Sequence, residues 1–257
     1  MHMASRSAAA VEPSTRTSSY GEYVNPQWVN LLNILDMNVG YERCIGAELF
    51  PELAGELAER LCRLSGSGLT KAYFGSSGSE GVEAAIKFCR ATTKRPGILY
   101  ARSSFHGLTA GALSLMNDEF WREGFGPLLK DTTAVAFGDI EALEKALASK
   151  KFAAFIVEPV QAEAGIKVPP ANYLPLAENL CHKHDSLFVL DEVQTGMFRT
   201  GTFLAAHQFG VHPDIVILAK ALSGGLMPVS ATLMTEQVYN SVYSSLRRAI
   251  VHTSTFS

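Results

Sequence analysis

Two residues of this sequence have the types and surroundings needed for acid and amine chemistry at one place. The apolar run Leu187, Phe188, Val189, Leu190 ends directly in Asp191 and Glu192. A buried strand that finishes in charge needs a positive group to answer it. Lys220 stands alone among apolar neighbours in DIVILAKALSGG. Burial at such a position disfavours the ammonium form, lowers the pKa and leaves a nucleophilic amine, which is what condensation with a carbonyl requires. The plainer alternatives are an ion pair or cap for Asp191 and a lysine snorkelling from a strand end for Lys220.

Two further stretches could complete a site. In YFGSSGSEGVEAAIK, a strand runs through a Gly/Ser loop into a helix with Val82, Ala85, Ile86 and Cys89 on one face. Small residues let a ligand approach the backbone, and the free N–H groups of a helix start favour an anion. Hydroxyls of Ser76, Ser77 and Ser79 add donors. No Gly-Lys-Ser/Thr follows and the loop is not GxGxxG, so neither nucleotide fingerprint is present. Taken alone it equally describes an ordinary helix with Ser79 as its N-cap. In SSFHGLT, Phe105 offers a flat face and His106 a polar ring, a pair that by itself is ordinary packing. The histidines of CHKHD are two apart, which on a helix turns them about 200° from each other. No metal site is expected there.

An anion site at a helix start, an aromatic plate, an acid and a lysine are together the four handles of pyridoxal 5′-phosphate. The phosphate would take the helix start, the ring would stack on Phe105, the pyridinium nitrogen would pair with Asp191, and the aldehyde would meet Lys220.

The elements that must position these groups are legible as an alternation. Helix candidates are PELAGELAERLCRL, SEGVEAAIKFCRAT, DIEALEKALASK and NYLPLAENLCHKH. Between them lie KAYF, GILYA, TAVAF, FAAFIVEP, SLFVLDE, DIVILAK and PVSATLM, several of them apolar on both faces as strands covered on each side should be. The pattern predicts an α/β domain of three layers around a mainly parallel sheet of about seven strands. Ligands of such sheets bind beyond the carboxyl ends of the strands. That puts residues 75–79, Phe105, Glu158, Asp191 and Lys220 along one rim. Residues 1–19, small and polar, read as a flexible tail; residues 20–50 read as an N-terminal segment with a helix in VNPQWVNLLNILDMN and a short strand in ERCIGAELF; and residues 51–257 read as the main domain.

Composition narrows the rest. Of the 257 residues, 47% are hydrophobic and 18% charged, as in a globular domain with a large core. A net charge of −3 gives no reason to expect nucleic acid or an anionic membrane as partner. The scattered cysteines Cys44, Cys62, Cys89 and Cys181 read as reduced thiols of a cytoplasmic protein. Residues 215–234 carry one charge in twenty positions, but Gly224, Gly225 and Pro228 break the window, so two strands and a loop fit better than a membrane span.

The motifs YFGSSGSE, SFHGLT, EPVQAEAG, DEVQTGMFRTG and AKALSGG, in this order and with this separation of Asp191 and Lys220, resemble the class III (ω-type) aminotransferases of PLP fold type I. The resemblance runs from about Leu49 to Ser257. It implies that Lys220 is the Schiff-base lysine and Asp191 the partner of the pyridine nitrogen. It implies that Gln194 bonds the phenolic oxygen, that Val193 packs opposite Phe105, and that Ser77, Gly78 and Ser79 hold the phosphate. Glu158 resembles the glutamate beside the cofactor, and Glu163 the one that masks a substrate-binding arginine in ornithine-type members. HTSTFS resembles the segment whose threonine, here Thr255, reaches the phosphate of a neighbouring subunit, which implies a homodimer with shared sites. The implied reaction passes an amino group from an ω-amino acid or diamine to a 2-oxo acid; a glutamate-semialdehyde type of aminomutase or a non-catalytic PLP-binding fragment are the alternatives. The pattern departs from the family twice. A glycine-rich segment expected between Phe50 and Pro51 is absent, and the chain stops where a small C-terminal domain would follow.

Overall fold

The computed structural model describes residues 51–66 and 68–254, and the expected helix and strand of residues 20–50, together with Thr255, lie outside them. Helix α1 (Pro51–Ser65) leads into β1 (Leu69–Gly75), α2 (Gly78–Thr93) and β2 (Gly97–Ala101). Two single-turn helices, α3 (Ala110–Leu113) and α4 (Glu119–Arg122), precede β3 (Thr132–Val135), α5 (Ile140–Leu147), β4 (Phe152–Val157) and α6 (Tyr173–Lys183). The remainder is β5 (Leu187–Asp191), α7 (Ala206–Phe209), β6 (Ile215–Leu218), a 3-10 turn (Lys220–Ser223), β7 (Ser230–Thr235) and α8 (Glu236–Val242).

The strands form one seven-stranded sheet in the order β1-β7-β6-β5-β4-β2-β3. β3, β2, β4, β5 and β6 pair in parallel, whereas β7 runs antiparallel to both its neighbours, β6 and β1. β1 therefore points the same way as β6, and the carboxyl ends of β1, β2, β4, β5 and β6 share one rim.

Side-chain alternation explains the layers. Phe155, Val157, Phe188, Leu190, Val216 and Leu218 bury one face of the sheet with α1, α5 and α6. Their chain neighbours Ala154, Ile156, Val189, Ile215 and Ile217 bury the other with α2 and α8. Because successive residues of a strand point to opposite faces, a strand must be apolar throughout to supply both cores, and this is the three-layer arrangement the sequence predicts. Full burial of each large side chain, Phe88, Phe155 and Phe188 among them, contributes about 1.5–3 kcal/mol.

Local chemistry sets the ends of the elements that matter for the site. The N-cap of α2 is Ser77 and not Ser79: the Ser77 hydroxyl accepts from Glu80 N at 3.2 Å, and the Glu80 carboxylate returns to accept from Ser76 N at 2.5 Å. This reciprocal pairing, close to a capping box, satisfies two donors at the turn out of β1. Ser79 instead accepts from Leu108 N at 3.3 Å, tying the loop after β2 to the helix start. α8 stops at Val242, where Arg248 Nε donates to the Val242 carbonyl at 3.0 Å, and only a short 3-10 turn, Leu246–Arg248, follows.

Candidate active site

At the carboxyl rim lies a cavity of about 460 Å³. Five of the seven strands each lead to one piece of it. β1 leads to Ser77, Gly78 and Ser79; β2 to Phe105 and His106; β4 to Glu158; β5 to Asp191, Val193 and Gln194; β6 to Lys220. All of these sequence-predicted residues line the one cavity. Glu163 does not: it is exposed, in the turn closed by the Gln161–Lys167 bridge. Thr255 lies outside the described residues.

Asp191 is buried and both its oxygens are used. Oδ2 lies 2.8 Å from His106 Nδ1, and Oδ1 accepts from Val193 N at 3.1 Å. Burial works against a charged His106, but the Asp191 bond and the charges of Asp191 and Glu158 outweigh it, and the histidine's pKa is raised. The other ring nitrogen, Nε2, is buried and finds no hydrogen-bond partner among the described residues. The wall at β5 is therefore a fixed acid backed by a histidine.

Lys220 departs from expectation. It is exposed rather than buried, and its Nζ donates to Gln194 Oε1 at 2.6 Å. Its apolar sequence neighbours point into the two cores, while the lysine itself emerges past the strand end at the cavity. Its backbone sits at φ 45°, a left-handed conformation that costs an L residue roughly 1–2 kcal/mol.

Two glycines shape the end of the cavity at the start of α2. A Cβ on Gly78 would fall 2.9 Å from a Val193 methyl, so only glycine lets the helix start close against that wall. Gly107, at φ 121°, would place a Cβ 2.2 Å from Ser79 Oγ. No local pattern singles out Gly107. The run PVSATLM predicts a last strand from Pro228, whereas β7 begins at Ser230 and Pro228 and Val229 belong to the cavity wall.

Glu158, which accepts from Phe105 N at 3.1 Å, has its carboxyl pushed up to about 7. Burial is the main cause and the Asp191 charge adds to it, while His106, the Phe105 N–H and Lys220 pull the other way. A carboxyl that binds its proton more tightly folded than unfolded adds stability below its ordinary 4.5, and that stability is lost as pH rises through about 7. Glu158→Gln should therefore shrink the stability difference between about pH 5 and about pH 8 by on the order of 3 kcal/mol in the cofactor-free protein. Urea unfolding of both proteins at the two pH values measures this, and an unchanged difference would assign the titration elsewhere.

The second carboxylate of the pair, Glu192, turns away from the cavity. It is 1% exposed and accepts from Thr195 Oγ1 at 2.5 Å, Ala205 N at 3.0 Å and Ala206 N at 2.8 Å. Burial pushes its carboxyl pKa up against these three bonds.

The class III aminotransferase family model matches residues 25–257. The chain belongs to the class III aminotransferases. It is 43% identical over 206 residues to the aminotransferase PigE of Serratia sp. (strain ATCC 39006), covering 80% of this chain and 24% of that protein. It is 40% identical over 235 residues to the putrescine aminotransferase of Pectobacterium atrosepticum, covering 88% and 50%. The chain thus spans half or less of these curated relatives. Among solved structures, it is similar to a PLP-bound amine transaminase from an uncultivated Pseudomonas species, with TM-score 0.82 and 28% identity over 91% of this chain and 60% of that one. It is also similar to the ornithine aminotransferase of Toxoplasma gondii, with TM-score 0.73 and 32% identity over 79% and 48%. The cofactor of this class III aminotransferase chain is pyridoxal 5′-phosphate, and the site is suited to it. The first N–H groups of α2 lack intrahelical partners by geometry, Gly78 keeps the approach to them open, and a buried acid and an accessible amine face the same cavity.

Proposed function

We propose that residues 51–257 form the cofactor-binding domain of an aminotransferase that passes an amino group from an ω-amino acid or diamine to a 2-oxo acid. The observation that carries this reading is the delivery of Asp191 and Lys220 by adjacent strands, β5 and β6, into the cavity that also holds the start of α2. The diamine class of donor is supported by the similarity to the putrescine aminotransferase.

When bound, the cofactor supplies an aldehyde that carries the amino group and a ring that takes up the electron pair left on the donor carbon. Ser77, Gly78 and Ser79 would hold its phosphate. Phe105 and Val193 would flank the ring and exclude water. Asp191, backed by His106, would keep the ring nitrogen protonated, and Gln194 would bond the phenolic oxygen. Lys220 would anchor the cofactor and, once free as an amine, take the proton from the carbon that bears the donor's amino group. The same lysine would serve the second half-reaction after the first product leaves, which gives ping-pong kinetics. Glu163 would mask a substrate-binding arginine, and Thr255 would reach the phosphate site of a second copy, so the working unit would be a homodimer. A cytoplasmic location is supported by the free thiols of Cys62, Cys89 and Cys181. Among the described residues, no helix is long and apolar enough to cross a membrane, and no group of three His, Cys, Asp or Glu side chains could hold a metal ion.

The test is to incubate the purified chain with pyridoxal 5′-phosphate, putrescine or ornithine, and a 2-oxo acid. An amino acid formed from the 2-oxo acid, with the donor recovered as its aldehyde, is the expected result. Isomerisation of glutamate semialdehyde, supplied in a parallel incubation without donor or 2-oxo acid, would instead make it an aminomutase, and neither product together with no cofactor uptake would overturn the reading.

A further inference from the structure

We propose that Glu192 is a positioning residue for Lys220, acting through the loop that carries Val193 and Gln194. Its carboxylate gathers three donors from residues that follow it by three to fourteen positions: the Thr195 hydroxyl and the N–H groups of Ala205 and Ala206. The backbone of the same residue is held as well. Glu192 N donates to the Ile217 carbonyl on β6 at 3.0 Å, and its own carbonyl accepts from Gly196 N at 2.8 Å. Gly196 then packs so closely that a Cβ there would lie 2.6 Å from Leu218, the last residue of β6. Residues 192–196 are thus pinned to the end of the strand that presents Lys220. Between the pins stand Val193, against Gly78, and Gln194, whose Oε1 accepts from Lys220 Nζ. A glutamate suits this role because both its oxygens accept. An amide at the same place would turn an NH₂ group toward one of the backbone donors.

The experiment has an arm that needs no cofactor. Lysines of the wild-type chain are reductively methylated with ¹³C-formaldehyde, and the Lys220 signal is assigned by its absence in Lys220→Arg. Glu192→Gln should move that signal in the same direction as Gln194→Ala does. Leu147→Ala, a cavity variant near the amino end of β4 on the opposite rim, should not move it even at an equal loss of stability. If Glu192→Gln does not fold, Thr195→Val, which removes one donor only, should give a smaller shift of the same sign. A Lys220 signal unmoved by both variants, or moved no further than by Leu147→Ala, would overturn the proposal.

The second arm rests on the cofactor role proposed for the site. Glu192→Gln should weaken binding of pyridoxal 5′-phosphate about 5- to 10-fold, and much less when Gln194 is already alanine, since residues acting in one chain of contacts are not additive. Full additivity of the two changes would show that Glu192 does not act through Gln194. Absence of cofactor uptake by the wild type would count against the proposed function and leave the lysine signal to decide the role of Glu192.

Discussion

Lys220→Ala is expected to abolish amine transfer, by at least ~10⁴-fold, while the chain folds as before. A positioned acid–base group alone supplies roughly 10²–10⁴ in rate, and this variant also loses the covalent anchor. The fold should survive because Lys220 is exposed and makes its hydrogen bond at the cavity rim, while the neighbouring Ala219 and Leu222 carry the packing. Borohydride treatment of the wild type loaded with cofactor should attach a pyridoxyl group to Lys220, read by peptide mass. Two other lysines, Lys71 and Lys87, are engaged elsewhere. Lys71 lies 3.9 Å from Glu236 and over the Tyr239 ring, and Lys87 is 2.5 Å from His252 Nδ1. Label on Lys71 or Lys87, or more than about 1% of turnover left in Lys220→Ala, would be incompatible with the role assigned to Lys220.

Asp191→Asn should slow transfer by ~10²-fold or more, equivalent to about 2.7 kcal/mol of barrier, with cofactor binding retained. The amide can still accept from Val193 N and turn its NH₂ toward His106, so the loss is of charge and not of shape. Without the carboxylate the ring nitrogen of the cofactor would no longer be held protonated, and the stabilisation of charge developing on the donor carbon falls. His106 loses the partner that raises its pKa, so its titration, followed by NMR in the cofactor-free chain, should move down. Turnover equal to wild type would mean that Asp191 only orders the loop it caps.

The seven strands, the main helices and the rim on which the site stands are legible in the residue pattern alone. These follow from periodicity, because a strand feeding two cores has to be apolar at every position, and a helix covering one face apolar at every third or fourth. Asp191 and Lys220 were legible for the same reason: charge at the end of such a run has no place in either core. What the tertiary structure decided depends on contacts between distant segments. Whether Ser77 or Ser79 caps α2 turned on Gly78 having to meet Val193 and on Ser79 being taken by Leu108, neither of which local propensity encodes. Lys220 is exposed although its neighbours in sequence are buried, since exposure is set by how widely the surrounding loops stand apart and not by the run that precedes it. Asp191 and Glu192, adjacent and both acidic, face different surroundings. One carboxylate lines the cavity beside His106, and the other is buried under three donors, two of them backbone N–H groups more than ten residues along the chain. Those donors carry no mark in the sequence, because any residue but proline offers the same N–H, and only the folded chain brings them to Glu192.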